Sequence, residues 1–125
     1  MKVTRLNHAA INVHGRWKES ERFYCQLLGI GTTPRPGQMD KAIGGCWLQL
    51  PHGQVHLIDA PYDGSPGNPV GPHVSYYVED LAAAMREIEA KGLKARHLEI
   101  DGLQIVWITD PAGNTVELQQ DPEIC

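Results

Sequence analysis

Histidine is the residue type in this chain that is best able to do chemistry, and three of its copies occupy related positions. The chain has six histidines among 125 residues. His8 and His73 each stand third in a similar segment, LNHAAINV and GPHVSYYV. His56 and Glu117 each stand second in two short matching segments, VHL and VEL. Three imidazoles and one carboxylate form a donor set that suits Zn, Ni, Fe(II), Co or Mn, and suits Ca or Mg much less.

These four residues can be compared because the sequence repeats. The segment CWLQLPHGQ at 46–54 parallels VWITDPAGN at 106–114, and the VHL and VEL segments follow them. In each copy a helical pattern of comparable length follows the first segment. The repeat predicts a β-α-β-β-β module at about 1–60, a linker rich in Pro and Gly at 61–71, and a second module at 72–125. We therefore expect a single α+β domain built from two βαβββ modules in tandem.

Local signals set the bounds of the predicted elements. Residues 17–28 stop at Gly29 and place five residues at the spacing of one helix face, namely Ser20, Phe23, Tyr24, Leu27 and Leu28. A second helix is predicted over 81–91, with Asp80 as its N-cap and Gly92 as its stop. Asp101-Gly102 lies between two apolar runs and indicates a two-residue hairpin. Residues 30–36 contain two prolines, which restrict them to an edge strand or an irregular segment.

Strand alternation predicts that the four candidate residues share one side of the sheet. Side chains two residues apart point to the same face of a strand. If both modules curl in the same way, His8, His56, His73 and Glu117 present their side chains to one cavity. Open positions on a metal held there would take a substrate oxygen or water. For His56, a supporting or substrate-facing role is the alternative to ligation.

The bulk composition excludes several classes of protein. The formal charge is −4 and there is no basic run, which argues against nucleic-acid binding. Cys25, Cys46 and Cys125 form no CxxC pair, which favours a reducing compartment, and we expect a cytoplasmic protein. Neither a signal-peptide pattern nor a stretch of 18 apolar residues is present, so no membrane partner is expected.

The remaining candidates are weaker. His14 stands at a predicted helix entry, His52 in a Pro-x-Gly turn and His97 in a strand segment with no repeat partner, so all three are expected at the surface or in structural roles. Trp47 and Trp107 occupy matching positions, which favours packing in the core or in a pocket wall, and Cys46 is expected as a packed thiol. The loops at 32–41 and 61–72 are expected to shape recognition of a small-molecule substrate.

The chain resembles the vicinal oxygen chelate superfamily, the glyoxalase / bleomycin-resistance / extradiol-dioxygenase group. The resemblance is carried by LNHAAINV, RFYCQLLG, GGCWLQLPHGQVHLI, HVSYYVEDL and DPAGNTVELQQ, which together span nearly the whole chain. It implies a cupped mixed sheet around one divalent metal, often in a homodimer, with His8, His73 and Glu117 at the metal positions. His56 falls where glyoxalase I-like members carry a Glu ligand and where other members carry none.

The resemblance leaves three functions open. The first is a glyoxalase-like lyase or isomerase, in which Glu117 is a metal ligand and proton shuttle and His56 a fourth ligand and second catalytic residue. The second is an Fe(II)-dependent extradiol-type dioxygenase, in which His8, His73 and Glu117 form the triad, and His56 or Tyr77 handles a proton or the substrate. The third is a metal-free drug-binding resistance protein, against which the intact His/His/Glu set counts.

Overall fold

The computed structural model describes residues 1–37 and 43–124, which form one mixed sheet with helices on a single face. The strands are β1 (Val3–Asn12), β2 (Gly31–Thr33), β3 (Gly44–Leu50), β4 (Gly53–Asp59), β5 (His73–Val78), β6 (Arg96–Ile100), β7 (Leu103–Thr109) and β8 (Thr115–Gln120). The helices are α1 (Trp17–Glu21), which continues as a π-helical segment (Arg22–Leu27), and α2 (Leu81–Ala90).

The sheet shows the predicted duplication in its strand order, β2-β3-β4-β1-β5-β8-β7-β6. In the first half β1 pairs in parallel with β4, and β4, β3 and β2 follow as antiparallel neighbours. In the second half β5, β8, β7 and β6 repeat this arrangement. The antiparallel pair β1–β5 joins the two halves at the centre. The expected α+β fold of two βαβββ modules is confirmed.

Each half buries its helix against the same face of the sheet. The first core is built around Val13, Leu48 and Leu57, with Trp17 and Tyr24 of the first helical segment packed on it. The second core contains Val78, Leu81, Ala84, Ile88, Val106 and Leu118. Because strand side chains alternate between faces, burying these residues under the helices turns their neighbours His56, Tyr77, Trp107 and Glu117 to the opposite face.

The first helical segment departs from the expected face. Tyr24 packs on the core, but Phe23, Leu27 and Leu28 are 49%, 71% and 52% exposed. The segment is π-helical, as the bond from Leu28 N to Phe23 O, five residues earlier, shows. A π-helical turn takes up more residues than an α-helical turn. A face drawn at a spacing of three to four residues therefore rotates out of the core along this segment.

The other local predictions agree with the structure. Asp80 Oδ1 accepts a hydrogen bond from Ala83 N and caps α2. Asp101 and Gly102 have φ values of 50° and 82°, which a tight two-residue hairpin turn between β6 and β7 requires. The edge strand β2 is three residues long and ends before Pro34. Asn12 Nδ2 donates to Ala60 O and Val70 O, which ties both ends of the linker to β1.

Two sequence expectations are only partly covered by the described residues. Cys25 and Cys46 are free thiols, and Cys46 packs beside the first core as expected, whereas Cys125 lies outside the described residues. Neither helix in the described part of the chain has the length and hydropathy needed to cross a membrane.

Candidate metal centre

Donor atoms of three side chains, each on a different strand, converge on one buried point. His8 Nε2 lies 3.3 Å from His73 Nε2 and 3.3 Å from Glu117 Oε2, and His73 Nε2 lies 3.4 Å from Glu117 Oε1. Their residues are 2%, 7% and 4% exposed. Among the described residues, the cluster with metal-ligand potential consists of these three. Atoms bound to one ion at about 2.1 Å lie roughly 3.0–3.4 Å apart, so the spacing is that of ligands around a common metal.

Strand register explains the convergence. His8 on β1 pairs with Ser75 on β5, and Ser75 pairs with Glu117 on β8, so His8, Ser75 and Glu117 lie in one row across the sheet. His73 lies two residues before Ser75 on β5 and therefore points to the same face. Ser75 is small and fully buried, which leaves room above it for the two larger side chains to meet. An irregularity in β1 between Leu6 and His8 sets this register. Bulges of this kind re-aim a side chain beside a site.

Hydrogen bonds on the far side of each imidazole fix which nitrogen faces the centre. His73 Nδ1 lies 2.8 Å from Gly71 O, and His8 Nδ1 lies 3.1 Å from Asn7 Oδ1. A carbonyl oxygen can only accept a hydrogen bond, so each Nδ1 carries the proton. Both Nε2 atoms therefore point unprotonated lone pairs at the centre, which is the form in which histidine binds a metal.

The carboxylate of Glu117 is held by two donors. Trp107 Nε1 donates to Oε1 at 2.9 Å, and Gln119 Nε2 donates to Oε2 at 3.0 Å. Ser75 Oγ lies close enough to contribute to lowering the pKa of Glu117, but it makes no hydrogen bond of regular geometry. Glu117 thus keeps its orientation while its remaining lone pairs face the two histidines.

The charge state of the site at neutral pH favours a cation. Burial raises the pKa of Glu117, but its close contacts with His73 and His8 outweigh the burial and lower the pKa to about 2. Burial lowers the pKa of His8 to about 4, with Glu117 opposing the shift. The centre therefore combines an ionised carboxylate with converging lone pairs, an arrangement that repels itself unless a positive ion lies between them. The donor set fits a divalent metal of the kind that prefers imidazole ligands.

His56 shares the cavity but is not part of the convergent cluster. Its Nε2 lies 2.8 Å from Gln54 Oε1, and its ring stacks between those of His8 and Trp47. Burial and the neighbouring His8 lower the pKa of His56 to about 2, which keeps the ring neutral. The structure brings together His8, His73 and Glu117 and leaves His56 outside this group of atoms, with its Nε2 directed at Gln54, an arrangement that agrees with the supporting role that the sequence left open for His56.

The other sequence candidates are placed away from the centre or beside it. His14, His52 and His97 are exposed, as expected. Tyr77 is half-buried, with the Arg5 guanidinium 4.3 Å from its ring centroid. Of the loop expected to shape substrate recognition, residues 32–35 line a groove with Trp47 at the edge of the sheet, whereas 38–41 lie outside the described residues.

Sequence reasoning missed the groups that hold the ligands. Trp107 was expected only to pack, although it donates a hydrogen bond to Glu117, and Asn7 and Gln119 were not singled out. Strand register contained a signal for Trp107, since this residue pairs directly with Glu117 across β7 and β8. Asn7 gave no such signal, because it lies in the irregular part of β1.

Several solved structures share this fold. A hypothetical protein from Bacillus halodurans C-125 has a TM-score of 0.72 and 15% identity, over 97% of this chain and 96% of its own. The methylmalonyl-CoA epimerase from Mycobacterium tuberculosis has a TM-score of 0.71 and 23% identity, over 97% and 91%. Homoprotocatechuate 2,3-dioxygenase from Arthrobacter globiformis has a TM-score of 0.67 and 19% identity, over 96% of this chain and 37% of the dioxygenase.

At these identities the likeness shows a common fold and no more. No curated protein matches the chain. The sequence itself matches a family description over residues 5–118, a range that contains all three converging ligands. With the duplicated sheet and the buried centre, this match shows that the chain belongs to the Glyoxalase/Bleomycin resistance protein/Dioxygenase superfamily.

Proposed function

We propose that this chain is a divalent-metal-dependent enzyme that binds a small substrate through two adjacent oxygens. The observation that supports the proposal is the convergence of His8 Nε2, His73 Nε2 and the Glu117 carboxylate in a buried site, where each histidine lies 3.3–3.4 Å from the other and from one of the two carboxylate oxygens. Purely structural histidines would not require two lone pairs and a carboxylate to face one another.

Each residue of the centre has a definite task in this proposal. His8, His73 and Glu117 would hold the metal, and Asn7, Gly71, Trp107 and Gln119 keep these ligands in orientation. The bound metal would polarise the substrate oxygens and increase the acidity of the neighbouring C–H bond. Because two donors hold both oxygens of Glu117, its side chain is better suited to remain a ligand than to carry a proton.

We favour a lyase or isomerase of the glyoxalase type. The chain covers 91% of the similarly folded methylmalonyl-CoA epimerase, so a stand-alone enzyme of this size exists on this fold, whereas it covers only 37% of the dioxygenase. A dioxygenase is the second candidate. The observation that favours it is the three-ligand set without His56, because two histidines and one carboxylate with open positions are typical of Fe(II) oxygenases.

Metal binding by purified protein tests the proposal directly. We expect the unmodified chain to bind one Zn²⁺, Ni²⁺ or Co²⁺ per protein in competition with a chromophoric chelator. His8→Ala should weaken this affinity by more than about 100-fold, because even the groups that only orient ligands contribute about 10–100-fold. His97→Ala, which removes an exposed histidine, is the matched control and should leave affinity unchanged.

A negative result in the binding assay has a clear meaning. Equal metal affinity in the unmodified chain and in His8→Ala would overturn the proposal and leave the metal-free binding protein as the better description.

If metal binds, the reaction type follows from two assays. Solvent deuterium exchange at the carbon next to a chelated carbonyl, dependent on Ni²⁺, Co²⁺ or Zn²⁺, supports the lyase or isomerase. Oxygen uptake on catechols by the Fe²⁺ form assigns the dioxygenase.

A further inference from the structure

The His56 side chain lies in the middle of a stack of three rings. The centroid of its ring is 4.0 Å from that of Trp47, with 4° between the planes, and 3.7 Å from that of His8, with 19° between the planes. His56 is 7% exposed. The three rings run from Trp47 on β3 to His8 at the candidate metal centre. The imidazole of His8, which carries one of the converging nitrogens, therefore lies flat against the imidazole of His56. The imidazole of His56 in turn lies flat against the indole of Trp47.

A chain of hydrogen bonds decides which His56 nitrogen carries a proton. Gln49 Nε2 donates to Leu50 O at 2.8 Å and to Gly53 O at 3.3 Å, so its oxygen is left to accept. Gln54 Nε2 donates to that oxygen at 2.9 Å, which turns Gln54 Oε1 toward His56 Nε2 at 2.8 Å. Because backbone carbonyls only accept, the direction of the whole chain is fixed. His56 Nε2 must donate, so this nitrogen has no lone pair for a metal. The lone pair is on Nδ1, and among the described residues His56 offers neither ring nitrogen to the cluster of His8, His73 and Glu117.

The second module uses the corresponding positions in another way. Trp107 and Glu117 pair across β7 and β8 as Trp47 and His56 pair across β3 and β4. In the second module the tryptophan donates its indole N–H to the ligand. In the first module the tryptophan presents its face to the histidine. The duplication thus places a tryptophan at corresponding positions of the two modules. Trp107 lies beside the candidate ligand Glu117, and Trp47 lies beside the flat ring of His56.

We infer that His56 is a positioning residue whose stacked ring fixes the plane of His8, and not a fourth metal ligand. A ring packed flat on His8 restricts rotation of the imidazole about its bond to Cβ. The restriction keeps Nε2 aimed at His73 and Glu117, and Trp47 and the Gln49–Gln54 pair hold His56 in turn. Ligands whose orientation is locked by neighbouring groups bind metal more tightly. This inference rests on the proposed function, since it concerns the ion that His8 would hold.

Substitutions that keep or remove the ring separate positioning from ligation. His56→Phe keeps a flat ring and loses both nitrogens, whereas His56→Ala and His56→Leu lose the ring. We expect His56→Phe to bind Zn²⁺ almost as tightly as the unmodified chain, and the other two variants to bind about 10–100-fold more weakly. The visible absorption of bound Co²⁺ should be unchanged in His56→Phe, because the ligand set is unchanged. His56→Leu provides the test without the ring if His56→Ala does not fold.

The outcomes distinguish this inference from the proposed function. If His56→Phe loses affinity as far as His56→Ala does and alters the Co²⁺ spectrum, His56 is a ligand and the inference is overturned. If His56→Leu and His56→Ala bind Zn²⁺ as tightly as the unmodified chain, the stack does not position His8 and the inference is again overturned. A failure of the proposed function has a different signature, because His8→Ala would then bind Zn²⁺ like the unmodified chain.

Discussion

Every donor atom of the centre has a second group behind it. Gly71 O and Asn7 Oδ1 accept from the two imidazoles, and Trp107 and Gln119 donate to the two carboxylate oxygens. Such groups set the tautomer and direction of a ligand, and removing them lowers the metal affinity although they do not touch the ion. Trp107 is the most informative of them, because its one polar side-chain atom, Nε1, donates its hydrogen bond to Glu117 Oε1.

Trp107→Phe tests this arrangement at the level of one hydrogen bond. The substitution keeps a buried aromatic ring and removes the donor to Glu117 Oε1. We expect Zn²⁺ affinity to fall by about 10–100-fold, because the carboxylate loses part of its orientation. Competition with a chromophoric chelator measures the change. Trp17→Phe makes the same chemical change on the helix-covered face of the sheet and should not alter affinity. Unchanged binding in Trp107→Phe would show that Gln119 alone holds the carboxylate.

At the scale of elements, the repeat made most of the fold predictable. Matching strand segments predicted the doubled βαβββ order, and alternation placed His8, His73 and Glu117 on one face, where the structure brings them together. Two features could not be read in this way. The π-helical turn after α1 changes the helical period, which a fixed spacing does not register. The position of His56 depends on its ring stacking and its hydrogen-bond partner, which strand spacing does not determine.

Asp80→Ala tests an element boundary that the sequence did predict. Asp80 Oδ1 accepts from Ala83 N, and removing this cap leaves an amide at the start of α2 without its partner. We expect a loss of about 1 kcal/mol in the free energy of unfolding. For a domain of this size, this loss corresponds to a drop in Tm of roughly 3–6 °C. Thermal unfolding measures it, and Asp80→Ser, which restores a capping oxygen, should recover most of the loss. An unchanged Tm in Asp80→Ala would show that packing of α2 alone sets this boundary.

At the scale of the whole molecule, the two modules depend on the interface between them, which we call the seam: the β1–β5 strand pair together with the contacts of Asp121 with β1. The β1–β5 pair joins them along the sheet, and a buried carboxylate joins them again at one end. Asp121, 3% exposed and just after β8, accepts from Thr4 Oγ1 at 2.6 Å and from Arg5 Nη2 at 2.9 Å on β1. Because His8 lies on one module and His73 and Glu117 on the other, groups that hold the seam also hold the donor atoms at their spacing.

Asp121→Asn should therefore destabilise the chain in a pH-dependent way. The hydrogen bonds with Arg5 and Thr4 hold the pKa of Asp121 well below its ordinary value of 3.8. A carboxyl with a lowered folded-state pKa stabilises fully above its unfolded pKa, and this contribution is lost as the pH falls. We expect the unmodified chain to exceed Asp121→Asn in stability by a constant amount from pH 7 to pH 5, and by less at pH 3.

Urea unfolding at each pH measures the difference, and Glu123→Gln is the control. Glu123 lies 3.7 Å from the same Arg5 Nη2 but its side chain is 74% exposed, so its loss should change stability little at any pH. A difference between the unmodified chain and Asp121→Asn that stays the same from pH 7 to pH 3 would mean that the charge of Asp121 does not hold the seam. In that case the β1–β5 ladder alone would set the spacing of His8 from His73 and Glu117.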